Sequence, residues 1–129
     1  MSAEIFFPKI EWLAEAANRD GTLRRIGRHC RAEVLLMAGE TGAYLVVADG
    51  EIIRVDSGPS HLRSVSFAIS APLDCWSEFW RQTPRPGYHD IFAMARFGHA
   101  VINGDLGPLL EHLPYFKRLL WLPRRLADG

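Results

Sequence analysis

Residues 98–106, Gly-His-Ala-Val-Ile-Asn-Gly-Asp-Leu, are followed by Pro108 and a Leu-rich run to Leu122. A short strand therefore ends at a Gly-Asp turn and hands over to a helical segment. In that segment Leu106, Leu109, Leu110, Leu113, Phe116 (or Lys117), Leu119 and Leu120 recur at helical spacing. A surface helix of so small a domain does not need that much Leu and aromatic surface. The segment reads instead as the wall or lid of an interior. Asp105 is placed to cap it by accepting from orphan backbone amides. Pro114 lacks a donor and is expected to kink the segment or divide it in two.

The rest of the chain must supply what this helix packs against. With 129 residues, one domain with a real core is expected over 1–129. Apolar residues make up 48% and charged residues 23%, a globular balance. Fifteen basic and fifteen acidic side chains cancel, which disfavours an extended nucleic-acid binder, whose affinity rests on neutralising phosphates. Cys30 and Cys75 stand far apart without Cys or His at metal spacing, so a reduced pair is expected. The start of the chain has no basic flank and no long apolar run, and no window approaches a membrane span. A cytoplasmic domain is the expectation.

Pro8 opens a predicted helix over 8–20, with Ile10, Leu13, Ala14 and Ala17 on one side and Asn18-Arg19-Asp20-Gly21 as its stop. A short helix over 22–28 follows. Arg24, Arg25, Arg28 and Arg31 form a basic run, either a solvated face or a contact for a headgroup or carboxylate. From residue 32 the period changes to two. Strands are predicted over 32–38, 43–48 and 51–56, with Asp49-Gly50 as a tight hairpin turn. A fourth alternating strand over 62–70 puts Val65, Phe67 and Ile69 on one face, and the four together predict an antiparallel meander. Helices over 72–82 and 88–97, a strand over 99–103 and the helix over 106–122 complete the order. Pro84-Arg85-Pro86-Gly87 reads as a rigid loop.

In that order, Val46-Val47-Ala48-Asp49-Gly50-Glu51-Ile52, the alternating Val65-Ser66-Phe67-Ala68-Ile69 and Val101-Ile102-Asn103-Gly104-Asp105 resemble the sterol carrier protein type-2 domain family. The helix after Pro72 that carries Trp76 falls where that family places its post-sheet helix, and the resemblance covers about 9–122. It implies an α+β fold: a five-stranded, mainly antiparallel sheet covered on one face by helices, a sandwich with an apolar tunnel between the layers. It also implies binding of a fatty acid, acyl thioester, sterol or other hydrophobic ligand, without a cofactor and without catalysis. On this reading Trp76, Trp80, Phe92, Met94, Phe116 and Leu120 touch the ligand. Tyr88, His89 or an arginine of the 24–31 run meets a polar head at the mouth. Such an apolar stripe at helical spacing can equally be packed core.

Two other classes stay open. His89, His99, Asp90 and Asp105 are the candidates for acid–base chemistry on an apolar substrate, although no nucleophile elbow, phosphate loop or metal spacing accompanies them. The alternative to an enzyme or carrier is an interaction module. Residues 116–125 mix aromatic with basic side chains and suit a transient contact with an anionic membrane surface, or simply place cations at a helix C-terminus.

Overall fold

The computed structural model describes residues 2–60 and 63–126, with the backbone alone at 125 and 126. Strands β1 (Arg31–Ala38), β2 (Thr41–Ala48) and β3 (Glu51–Gly58) follow one another as antiparallel hairpins. Asp49 and Gly50 turn the second hairpin with φ of 53° and 83°, the positive angles that the Asp-Gly pair predicts. With β4 (Phe67–Ala71) and β5 (Val101–Gly104) they form one sheet of five strands in the order β3-β2-β1-β4-β5.

The predicted four-stranded antiparallel meander is not what forms. β4 leaves β3, crosses two strands and pairs in parallel with β1, with Phe67 opposite Val34 and Ile69 opposite Leu36. The sheet is therefore mixed, with β4–β5 antiparallel again. Alternation specifies which side chains point inward, but not which strand lies alongside. The crossing segment is held on the outer face of the sheet by Tyr44. Its hydroxyl accepts from the Ser60 amide at 2.8 Å, and the Arg63 guanidinium lies 4.1 Å from its ring centre. Arg63 also reaches Asp56 at 2.7 Å. The ladder of β4 begins only at Phe67, later than predicted, and Leu62 lies outside the described residues.

Helices cover the other face. Helix α1 (Ala3–Arg19) begins earlier than predicted and runs through Pro8. Proline removes one bond in the helix ladder, here the one to the Glu4 carbonyl near the helix start, where the cost is smallest. Phe6, fully buried against Trp76 and Trp80 at 5.9 and 6.0 Å, holds the turn before the proline in place. Helix α2 (Gly21–Ile26) is followed after the first strands by α3 (Leu73–Phe79) and α4 (Ile91–Arg96). The C-terminal segment is divided as Pro114 predicts, into α5 (Gly107–Glu111) and α6 (Leu113–Leu126), with Asp105 accepting from the Gly107 amide at 2.9 Å. β5 starts at Val101 rather than at residue 99. The His99 and Ala100 amides both donate to the Met94 carbonyl, at 2.7 and 3.2 Å, closing the end of α4 and leaving nothing for a ladder.

Asp20 joins these layers. Its carboxylate accepts from the Leu23 amide at 3.1 Å, capping α2, and from Arg118 of α6 at 3.0 Å. Burial pulls this carboxyl upward, but the hydrogen bonds from Arg118 and the backbone outweigh it and leave it below the usual carboxylate range. A carboxyl lowered on folding stabilises the fold fully above its unfolded pKa, about 3.9. That contribution is lost as pH falls below this value. Asp20→Asn keeps a capping oxygen and removes only the charge, so it is expected to cost about 1 kcal/mol at neutral pH. In urea titrations the gap between the two proteins should stay constant down to about pH 4 and close below it. A gap that persists in full at lower pH would contradict the charge assignment.

Candidate functional site

Between sheet and helices the large side chains fill one another's space. Trp76 and Trp80 lie 5.0 Å apart, tilted by 31°, on α3 and just after it, with Phe79 5.8 Å from Trp76. Both indole N–H groups are satisfied: Trp76 donates to the Met37 carbonyl at 2.8 Å and Trp80 to the Leu120 carbonyl at 2.9 Å. Phe116 meets Phe67 edge-on at 5.2 Å, tying α6 to β4. Of the residues expected to touch a ligand, Trp76, Trp80, Met94, Phe116 and Leu120 are thus buried in one continuous core. Phe92 and Tyr88 are half-buried at its margin.

The acid–base candidates are dispersed. Asp90 caps α4 by accepting from the Ala93 amide at 2.8 Å. His89 exposes its imidazole and offers its carbonyl to the Trp121 indole and to Arg124, at 3.1 and 3.2 Å. His99 stacks on Tyr88 with ring centres 4.3 Å apart, its Nδ1 3.3 Å from the phenol oxygen. Among the described residues no group of three or more His, Cys, Asp or Glu side chains is set to hold a metal ion. Burial raises the Cys75 thiol and pushes that of Cys30 up to about 11, so both rest as weakly nucleophilic thiols.

Open space lies along α6 instead. A groove of about 470 Å³ runs between α1 and α6, lined by Trp12, Ala16 and Leu122 on its apolar side and by Glu15, Arg19, Asp20 and Arg118 on its polar side. Burial lowers the pKa of Lys9, on the same helix, whose ammonium lies 5.3 Å from the Trp80 ring centre. A second groove, of about 530 Å³, follows the outer side of α6 between Ile26, Gln82, Pro114, Lys117 and Trp121. Sequence reading passed over Trp12, Ala16 and Leu122. Trp12 and Ala16 stand one turn apart beside the buried stripe of α1, and only the docking of α6 turns them into a groove wall.

No family model matches the chain, and no curated protein matches it. Solved structures match the fold. A crystal structure of sterol carrier protein 2 superposes with a TM-score of 0.72 at 13% identity, over 91% of this chain and 94% of the other. A UbiJ-SCP2 ubiquinone synthesis protein matches with a TM-score of 0.60 at 16% identity, over 95% of this chain and 93% of that one. The sterol carrier protein domain 2 of Helicoverpa armigera matches with a TM-score of 0.53 at 15% identity, over 86% and 84% of the two chains. The chain has the sterol-carrier-protein-2-like fold, a mixed five-stranded sheet packed with helices. No described helix is long and apolar enough to cross a membrane.

Proposed function

We propose that the protein binds a lipid or another hydrophobic small molecule and carries it unchanged. The observation behind this reading is the groove of about 470 Å³ between α1 and α6, in a fold shared with sterol carrier protein 2. Its size suits a fatty acid, an acyl thioester or a sterol. Trp12, Ala16 and Leu122 take the apolar body, and Arg19 or Arg118 takes a polar head. Each methylene removed from water contributes about 0.8 kcal/mol, less what is lost in freedom on binding.

Deeper entry follows if α6 moves outward. That motion carries Phe116 and Leu120 away from Phe67 and Trp80, so ligand contacts replace those that Trp76, Trp80, Met94, Phe116 and Leu120 make with one another. Tyr88 and Phe92 then stand at the rim. The chain works as one domain over 1–129 with its core over 9–122, and the free thiols of Cys30 and Cys75 suit a reducing cytoplasm.

Native mass spectrometry of gently purified protein, with titration of a fluorescent acyl probe, tests the reading. A co-purifying lipid mass or saturable probe uptake is expected, with altered emission from the buried Trp76 and Trp80. Ala16→Trp, which fills the groove from α1, should weaken probe binding about tenfold, or about 1.4 kcal/mol, without lowering the melting temperature. An empty protein that takes up no probe overturns the proposal, and so does one whose uptake ignores the plugged groove.

A further inference from the structure

We infer that the groove between α1 and α6 takes a two-headed lipid, a straight-chain dicarboxylate of about twelve carbons, with Lys9 receiving the second carboxylate. The inference rests on the ligand reading above and narrows it to one class of ligand. Lys9, Trp12, Ala16 and Arg19 follow one another on α1 at steps of three, four and three, so they stand in one row along the helix. Trp12, Ala16 and Arg19 line the groove, and Lys9 extends their row by one turn beyond Trp12. The Lys9 ammonium lies 5.3 Å from the centre of the Trp80 ring. That indole donates to the Leu120 carbonyl of α6, on the helix that supplies Leu122 to the groove wall. Lys9 thus marks the end of the row opposite to Arg19, with apolar side chains between them.

Lys9 lacks a counter-ion. Its neighbours one turn away on α1 are Ile5, Phe6, Trp12 and Leu13, none of them acidic, and it forms no ion pair among the described residues. It is half-buried against the indole, and that burial lowers its pKa by stripping water from the ammonium. A carboxylate carried in by a ligand would restore the interactions that burial removed.

The other end of the groove is equally selective. Asp20 engages Arg118 at 3.0 Å, whereas Arg19 is exposed and forms no ion pair among the described residues, so Arg19 is the anchor for the first carboxylate. Glu15 lines the groove one turn before Arg19, and its charge repels a carboxylate placed midway. From Lys9 to Arg19 the helix rises about 15 Å, the reach of an extended chain of about twelve carbons with a carboxylate at each end. A second carboxylate ordinarily weakens insertion into an apolar groove, because it must give up water. A preference for the diacid over the monoacid is therefore the signature of a cation waiting at the far end.

Calorimetric titration of the full chain with dodecanoate, dodecanedioate and hexanedioate tests the inference. Dodecanedioate is expected to bind about tenfold tighter than dodecanoate, the scale of one charge-assisted hydrogen bond. Hexanedioate, too short to span the row, should bind more weakly than either. Lys9→Met keeps a straight side chain on Trp80 and removes the charge, so it should abolish the preference and change dodecanoate affinity by no more than about twofold. Lys117→Met, in the other groove, should keep the preference and serves as the control. Lys9 and Lys117 are the only lysines among the fifteen basic side chains, so NMR of the protein with isotope-labelled methyl groups on its amines resolves both. Dodecanedioate should raise the Lys9 pKa and leave Lys117 where it was, and dodecanoate should move neither. Circular dichroism and melting temperature verify that each variant is folded. Binding of dodecanoate as tight as that of dodecanedioate, or a preference that survives Lys9→Met, overturns the inference and leaves the ligand reading standing. If neither acid binds and the acyl probe is not taken up, the ligand reading falls and this inference with it.

Discussion

Trp76→Ala is expected to lower the free energy of unfolding by about 3–5 kcal/mol. The indole is fully buried among Phe6, Phe79 and Trp80, and its N–H donates to the Met37 carbonyl at 2.8 Å. Truncation removes the apolar area of the largest side-chain type, leaves a void lined by rings too stiff to collapse into it, and strips the carbonyl of its partner. Trp76→Phe separates the terms. It keeps most of the area and loses the hydrogen bond, for roughly 1–2 kcal/mol. Urea unfolding with an unchanged m-value measures both. A loss below about 1.5 kcal/mol for the alanine variant would mean that this region yields easily, the opposite of a close-packed aromatic wall.

Gly50→Ala should cost about 3 kcal/mol or more, for a different reason. Gly50 sits at φ +83°, and an added Cβ would lie 2.6 Å from the Arg24 carbonyl oxygen and 2.9 Å from the Gly27 carbonyl. Both neighbours are backbone, so neither can turn aside as a flexible side chain would. The β2–β3 turn would have to move away from α2, and with it goes the hydrogen bond from the Tyr115 hydroxyl to the Gly50 carbonyl at 3.3 Å. Asp49→Ala provides the contrast. Its φ of 53° is strained for alanine and it loses an exposed pair with Arg31, but Asp49 already carries a Cβ, so the substitution adds no atom and about 1 kcal/mol is expected. Thermal unfolding of the two variants should differ by several degrees. Equal melting temperatures would show that the close approach of α2 to the turn carries no weight.

The hairpin turn and the close approach were not equally legible. Asp49-Gly50 between two apolar alternating runs specifies a primed turn by local chemistry alone, and that turn is present. That Gly50 must also be glycine because α2 rests on it cannot be read from neighbouring residues. The same holds along α1. Ile10, Leu13, Ala14 and Ala17 announce the inward stripe by their spacing, but Phe6, before Pro8, belongs to the helix only because Trp76 and Trp80 are there to receive it. The grooves belong to this second category. Trp12 and Ala16 become one wall when α6 supplies Leu122 and Arg118, and Ile26 becomes another when Trp121 arrives beside it.

Residue spacing by itself determined the α+β class, the inward faces of the strands and helices, the division of the C-terminal segment at Pro114 and the role of Asp105 as acceptor for a backbone amide at the start of α5. All of these depend on interactions within a few residues, or on the period with which apolar side chains recur. Only the tertiary structure decided that β4 lies parallel to β1, that the aromatic rings close on one another, and that Ile26 of α2 and Trp121 of α6 line one groove. Those outcomes turn on which surfaces meet. A pattern of inward and outward side chains is compatible with many strand orders, and the choice is made by long-range packing, such as Tyr44 and Arg63 holding the crossing segment against the sheet.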